Sequence, residues 1–140
     1  MAEPLSCACG AVKGAATPAA MQVEACHCPV CRKWSGGIYL SVKCAEVSLE
    51  KDAPVLVWAS SDWAERVSCA KCGSPLIWRL REGEFTTVSL QAFNAPERFA
   101  LVEEIFIDDK PGNYALAGDQ KTATRAEMMA RFAEGPSEKS

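Results

Sequence analysis

Three groups of cysteines constrain this chain more than any other feature. Cys7 and Cys9 form a C-x-C pair, Cys26, Cys28 and Cys31 a C-x-C-x-x-C run, and Cys69 and Cys72 a C-x-x-C pair followed by Gly73. A lone Cys44 completes the eight cysteines of the 140 residues. Cysteines this close in sequence do not bridge to each other easily, yet both sulfurs of a pair can face one ion. Two pairs distant in sequence make a closed tetrahedral set. Joining Cys7 and Cys9 to Cys69 and Cys72 would tie the N-terminal segment to the middle of the chain, in a structural role. Gly10 and Gly73 suit tight knuckles in which backbone N–H groups turn toward sulfur.

A chain of this length buries a core without covalent staples, so the cysteines are not needed merely to fold it. The N-terminal stretch MAEPLSCACGAV has no positive region ahead of an apolar one, and no apolar run approaches the roughly 18 residues a membrane helix needs. The formal charge of -3, with no basic stripe, argues against a nucleic-acid partner. The expectation is a soluble, cytoplasmic protein with reduced thiols, in which clustered cysteines read as metal ligands.

Between the cysteines, short apolar runs alternate and break at turn residues. Ile38, Leu40, Val42 and Cys44 share one parity, and Tyr39, Ser41, Lys43 and Ala45 the other, which predicts a half-buried strand. Residues 55–58, 76–80, 85–90 and 100–107 also read as strands, separated by turns such as Lys51-Asp52-Ala53-Pro54 and Arg81-Glu82-Gly83. The fold class expected is mainly β, as one domain over residues 1–135 with a loose tail at 136–140. Near the C-terminus, Thr124-x-x-Glu127 has the form of a capping box, in which side chains satisfy the first free N–H groups of a helix. A short helix through Met128 to Ala133 would follow, stopped by Gly135-Pro136.

Cys26, Cys28 and Cys31 remain. Three ligands leave one tetrahedral corner open, which is what distinguishes a catalytic zinc site from a structural one. Two alternatives stand beside this. Cys44 could close the set as a fourth ligand, although its parity places it on an apolar face where a lone cysteine behaves as a hydrophobe, or the trio could be reduced and metal-free. His27, the single histidine, lies between two cysteines, and adjacent residues of an extended chain face opposite sides. If both sulfurs face a metal, His27 faces away; the ligand reading stays open. Without another histidine, serine-hydrolase machinery is an unlikely use of this chain. Arg32, Lys33 and Arg66 are candidate cations for an anionic substrate, and Trp34 a candidate pocket wall.

The stretches CACGAV at 7–12, CHCPVCRKWSG at 26–36 and WASSDWAERVSCAKCGSPLIWR at 58–79, with a weaker echo in VSLQAFNAPE at 88–97, resemble the glutathione-dependent formaldehyde-activating enzymes and their relatives, which share a domain with centromere protein V. The resemblance implies a zinc-binding β-tent of short antiparallel sheets. It implies a structural zinc on Cys7, Cys9, Cys69 and Cys72, and an active-site zinc on Cys26, Cys28 and Cys31. The activity implied is a carbon–sulfur lyase running in reverse, which joins formaldehyde to glutathione as S-hydroxymethylglutathione. The partners implied are therefore a small thiol such as glutathione and a small aldehyde, with Arg32 and Trp34 as candidate substrate contacts. Gln91 and Phe93-Asn94 stand where relatives tend to carry Gly and Leu-Asp, and Glu104 where relatives often place a histidine.

The ligand chemistry agrees with a thiol reaction. Three thiolates on a divalent zinc leave a net negative charge, which makes a bound water harder to ionise and disfavours hydrolysis. Soft ligands suit a thiol co-substrate. The competing reading from another class is a non-catalytic zinc module that binds a thiol or a protein partner.

Overall fold

The computed structural model describes residues 1–133. The expected helix stop at Gly135-Pro136 and the tail at 136–140 lie outside the described residues. Ten strands form a mixed sheet: β1 (Glu3–Ser6), β2 (Lys13–Pro18), β3 (Gln22–Cys26), β4 (Tyr39–Leu49), β5 (Val55–Ala59), β6 (Ala64–Cys69), β7 (Pro75–Leu80), β8 (Thr86–Ser89), β9 (Ala100–Ile105) and β10 (Lys121–Ala123). Two helices accompany them, α1 (Pro29–Ser35) and α2 (Arg125–Ala133).

The strands run in the order β10-β9-β3-β4-β8-β7-β6-β5, with β1 and β2 off this path. The eleven-residue β4 organises the sheet. Its first half pairs with β3 on one side and β8 on the other, and its second half turns away to pair with β2. The mainly β expectation holds, and most ladders are antiparallel. Two are parallel, β3 with β9 and β9 with β10.

Alternation along the strands creates two unlike faces. One face carries Val23, Val42, Cys44, Val67, Ile77 and Val88, which fill the main core together with Leu5, Val12 and Leu76. The opposite parity carries Glu24 and Cys26 on β3, Tyr39, Ser41 and Lys43 on β4, Arg66 on β6, Trp78 on β7 and Thr87 on β8. All of these line one cavity. The sequence pattern of β4 suggests an apolar face backed by solvent. Instead Tyr39 and Ser41 are both buried, Tyr39 in a cluster with Cys31 of α1 and Met128 of α2, and Ser41 in the cavity wall.

Both helices have local causes. Cys28 caps α1 with an extended backbone, its Sγ accepts the Cys31 N–H at 3.4 Å, and Pro29 presets the first turn. Gly36, at φ +79, ends the helix by returning its N–H to the Arg32 carbonyl. At α2 the capping box forms as expected. Thr124 N–H donates to Glu127 Oε1 at 2.8 Å, and Glu127 N–H donates to Thr124 Oγ1 at 3.2 Å.

Candidate metal centres and the adjoining pocket

Two knuckles bring the first cysteine group together. Gly10 N–H returns to the Cys7 carbonyl at 3.2 Å, and Gly73 N–H to the Cys69 carbonyl at 2.9 Å. Both glycines sit in the left-handed region, at φ +82 and +81, where a side chain would strain the turn. Backbone N–H groups point at sulfur. Val12 donates to Cys7 Sγ at 3.2 Å, and Lys71 and Cys72 donate to Cys69 Sγ at 3.3 and 3.4 Å. The sulfurs of Cys7, Cys9, Cys69 and Cys72 lie within 4.8 Å of one another. Four soft donors at that separation, two of them accepting hydrogen bonds from backbone N–H groups, fit a closed tetrahedral ion such as zinc. The Ser74 hydroxyl, 3.1 Å from Cys72 Sγ, heads the causes that lower that thiol to about 5, followed by the backbone N–H groups of Ser74 and Cys9.

The second group stands where β3 ends and α1 begins. Cys26 closes the strand, Cys28 caps the helix, and Cys31 lies one helical turn on, so all three sulfurs fall within 4.8 Å. Cys44 belongs to neither sulfur group. It lies in the main core, its Sγ donating to the Val42 carbonyl at 3.4 Å, and burial pushes its thiol up to about 12.

The trio shares charge unevenly. Cys28 is lowered to about 2, first by the Cys26 thiol, then by that of Cys31, with the Arg66 guanidinium adding to the effect. Cys26 is raised, chiefly because it gives its hydrogen bond to Cys28. Cys31 is drawn down by Cys26 but pushed further the other way by Cys28 and burial, to about 11. One thiolate therefore forms readily, and the other two protons leave only if positive charge arrives. That donor set fits a soft divalent cation.

Arg66 is the cation this arrangement already contains. Only 5% exposed, it directs Nη1 and Nη2 at Cys31 Sγ from 3.5 and 3.6 Å, and Nε donates to Ser60 Oγ at 3.2 Å. Its guanidinium stacks over the Trp34 ring at 5.0 Å, and Trp34 meets Tyr39 edge-on at 5.3 Å. Trp34 thus backs Arg66 from behind and is not among the residues lining the cavity. Arg32 also points elsewhere. Its Nε donates to the His27 carbonyl at 2.9 Å, and with Lys33 it borders a separate open hollow that includes Gly36, Gly37 and Tyr114.

His27 turns away from the sulfurs, as alternation requires. Its ring is fully buried, and Nε2 lies 2.8 Å from Glu104 Oε1, whose other oxygen accepts from Gln120 Nε2 at 2.8 Å. Nδ1 has no hydrogen-bond partner among the described residues. Glu104 is therefore the buried partner that orients His27.

The trio opens into a cavity of about 370 Å³, within the range of small-molecule sites. Arg66, Glu24 and Lys43 enter from the sheet; Met128, Met129 and Phe132 enter from α2. Glu24 escapes a motif-based reading, but it sits two residues before Cys26, on the same strand face, and that parity would have found it. Burial raises its carboxyl above the ordinary value, with Glu103 adding like-charge repulsion.

Comparison with known proteins places this geometry. The family model described as glutathione-dependent formaldehyde-activating enzyme matches residues 4–109. An uncharacterized lyase of Schizosaccharomyces pombe is 29% identical over 126 residues, covering 89% of this chain and 92% of that protein. A crystal structure of a Rhodobacter sphaeroides protein superposes with a TM-score of 0.56 at 17% identity, covering 71% of this chain and 99% of the other. The last likeness is one of fold. No helix among the described residues is long and apolar enough to cross a membrane.

Proposed function

The chain belongs to the glutathione-dependent formaldehyde-activating enzyme family, and from that premise we propose that it is a zinc-dependent enzyme of the carbon–sulfur lyase type that forms or cleaves a thiol–aldehyde adduct. The lyase name of the fission-yeast relative points the same way. The observation that carries the reading is the contrast between the two sulfur groups. Cys7, Cys9, Cys69 and Cys72 form a set of four, whereas Cys26, Cys28 and Cys31 form a set of three at the wall of a cavity, with a buried arginine against one sulfur.

In this reading the four-sulfur set holds a structural zinc and the trio holds a second, active-site zinc. When bound there, zinc supplies Lewis acidity and a soft partner for sulfur. The reaction joins a thiol to an aldehyde, glutathione and formaldehyde being the pair the family name supplies. The sulfur–carbon bond forms, the carbonyl π pair moves to oxygen, and the thiol proton ends on that oxygen; cleavage runs the same steps backward. Arg66 holds negative charge on the sulfur side of the pocket. Tyr39, Ile105 and Phe106 close the pocket behind the trio and keep water from it. The eight free cysteines suit a reducing compartment such as the cytoplasm.

The non-catalytic alternative is best served by a trio capped by Cys44. The position of Cys44 in the core, bonded to Val42, favours the enzyme. The test is exchange NMR on formaldehyde and glutathione, with the zinc-loaded protein and with Cys28→Ala. Faster exchange with the wild type than with the variant is expected. Exchange unchanged by the wild-type protein dismisses the assigned reaction.

A further inference from the structure

We propose that the pocket beside Cys26, Cys28 and Cys31 takes an aldehyde bearing an aromatic or branched apolar body in preference to formaldehyde. This deepens the thiol–aldehyde reading above and rests on it. Four rings run in sequence along the cavity wall. Phe132 and Trp63 have centroids 5.3 Å apart, Trp63 and Trp78 5.8 Å, and Trp78 and Phe85 5.9 Å. They come from three separate parts of the chain, α2, the turn before β6 and the β7–β8 hairpin, and all four line the same cavity as the three sulfurs.

This wall is not fully consumed by packing. Trp63 remains 47% exposed and Met129, which α2 adds to the same cavity, 42% exposed. Apolar surface left wet inside a concavity is surface a ligand can cover, and each buried methylene is worth roughly a fourfold gain. Formaldehyde carries no substituent and covers none of it. Met128 and Met129 give the wall the adaptability that suits ligands of varied outline.

Most of the charges nearby are already engaged: Lys43 lies over the Phe85 ring at 5.2 Å, and Glu24 is a partly buried carboxyl on the sheet side of the cavity. Arg125 is paired with Asp109, and Arg131 with Glu103 at 2.7 Å, so the arginines of α2 are neutralised before any ligand arrives. Arg66 is committed to Cys31, Ser60 and Trp34. A neutral apolar body fits between these pairs and the rings better than a carboxylate. The reaction stays balanced: R–SH and R′–CHO give R–S–CH(OH)–R′, with no oxidant or reductant, and R′ is the group that lodges against Trp63.

Two measurements on the full-length, zinc-loaded protein test this. The first is exchange NMR with glutathione and, in turn, formaldehyde, acetaldehyde, 3-methylbutanal and phenylacetaldehyde, each corrected for its uncatalysed exchange. The second is fluorine-NMR line broadening of 2-(4-fluorophenyl)ethanol, an unreactive stand-in for the apolar body. The expected result is a kcat/KM at least tenfold higher for phenylacetaldehyde than for formaldehyde, with broadening of the fluorine line. Trp63→Ala should bring the phenylacetaldehyde-to-formaldehyde ratio close to one and remove the broadening, and Met129→Ala should shift both the same way. A ratio at or below one in the wild type, with formaldehyde still turned over, overturns the inference and leaves the reaction assignment intact. An unbroadened fluorine line also overturns the inference alone. No exchange with any aldehyde overturns both.

Discussion

Arg66 reaches Cys31 Sγ with both terminal guanidinium nitrogens, at 3.5 and 3.6 Å. A buried cation ordinarily pairs with a carboxylate, because leaving it alone is costly. Here its partners are a sulfur, the Ser60 hydroxyl and the face of Trp34. The arginine is therefore placed to offset the excess negative charge that three thiolates would carry when gathered on one divalent ion.

Arg66→Leu should weaken zinc retention at the trio, or activity, by about 10- to 100-fold, the usual scale for groups that orient metal ligands. Arg66→Lys should fall in between, since a single ammonium cannot address sulfur through two nitrogens and stack on Trp34 together. Competition against a chromophoric chelator, with far-UV circular dichroism as the check on folding, reads both.

The two sulfur groups should separate under mutation. Cys7→Ser opens the set that ties the N-terminal segment to Cys69 and Cys72, and should cost more than about 4 kcal/mol of stability. Cys28→Ser leaves the four-sulfur set intact, so the zinc-loaded variant should stay folded while adduct exchange is abolished. Metal analysis should give close to two zinc ions per wild-type chain and close to one for Cys28→Ser.

Cys44 sets an alkaline limit of its own. Its thiol, ordinarily at 9.0, rises to about 12 in the fold through burial. Between those values the folded chain keeps a proton that the unfolded chain has lost, so stability declines as pH rises. The contribution is complete below 9 and disappears by about 12, at a slope of up to about 1.4 kcal/mol per pH unit. Tyr39, raised chiefly by burial, acts in the same direction. Urea midpoints measured from pH 8 to 11 should fall less steeply for Cys44→Val than for the wild type.

Two glycines should fail for different reasons. A Cβ on Gly14 would lie 2.2 Å from the Ser48 carbonyl oxygen and 2.9 Å from Leu49 Cα, both backbone atoms of the neighbouring strand. Gly14→Ala must part β2 from β4 and should cost at least about 3 kcal/mol. Gly73 has open space around it but a φ of +81. Gly73→Ala should cost about 1–2 kcal/mol through backbone strain alone. Equilibrium urea unfolding ranks the pair.

Much of this was legible because it depends on local rules. Cysteine spacing identifies which sulfurs meet, and the knuckle glycines adopt the positive φ that tight turns require. Alternation through Cys26-His27-Cys28 places the histidine on the far side, and the parity of Cys44 puts it in the core. What escaped depends on distant neighbours. The α1 helix shows itself only once Cys28 is seen to cap it. The parallel pairing of β3 with β9 joins Gln22 to Ala100, a partnership no short window contains. Tyr39 looks solvent-facing because its cover comes from helices elsewhere in the chain. Arg66 stands among several candidate cations in the sequence; the register of β6 brings it to Cys31, while α1 turns Arg32 to the His27 carbonyl.

Sixty residues separate Cys9 from Cys69, whose sulfurs end 3.9 Å apart. During synthesis at roughly 5–20 residues per second, the first knuckle waits about 3 to 12 seconds for the second. Throughout that interval it offers two thiols, too few to retain an ion firmly. Final capture would consequently wait until about half of the 140 residues are made. Zinc starvation should then fall hardest on nascent molecules, while finished ones, with the N-terminal segment clasped to the middle, persist.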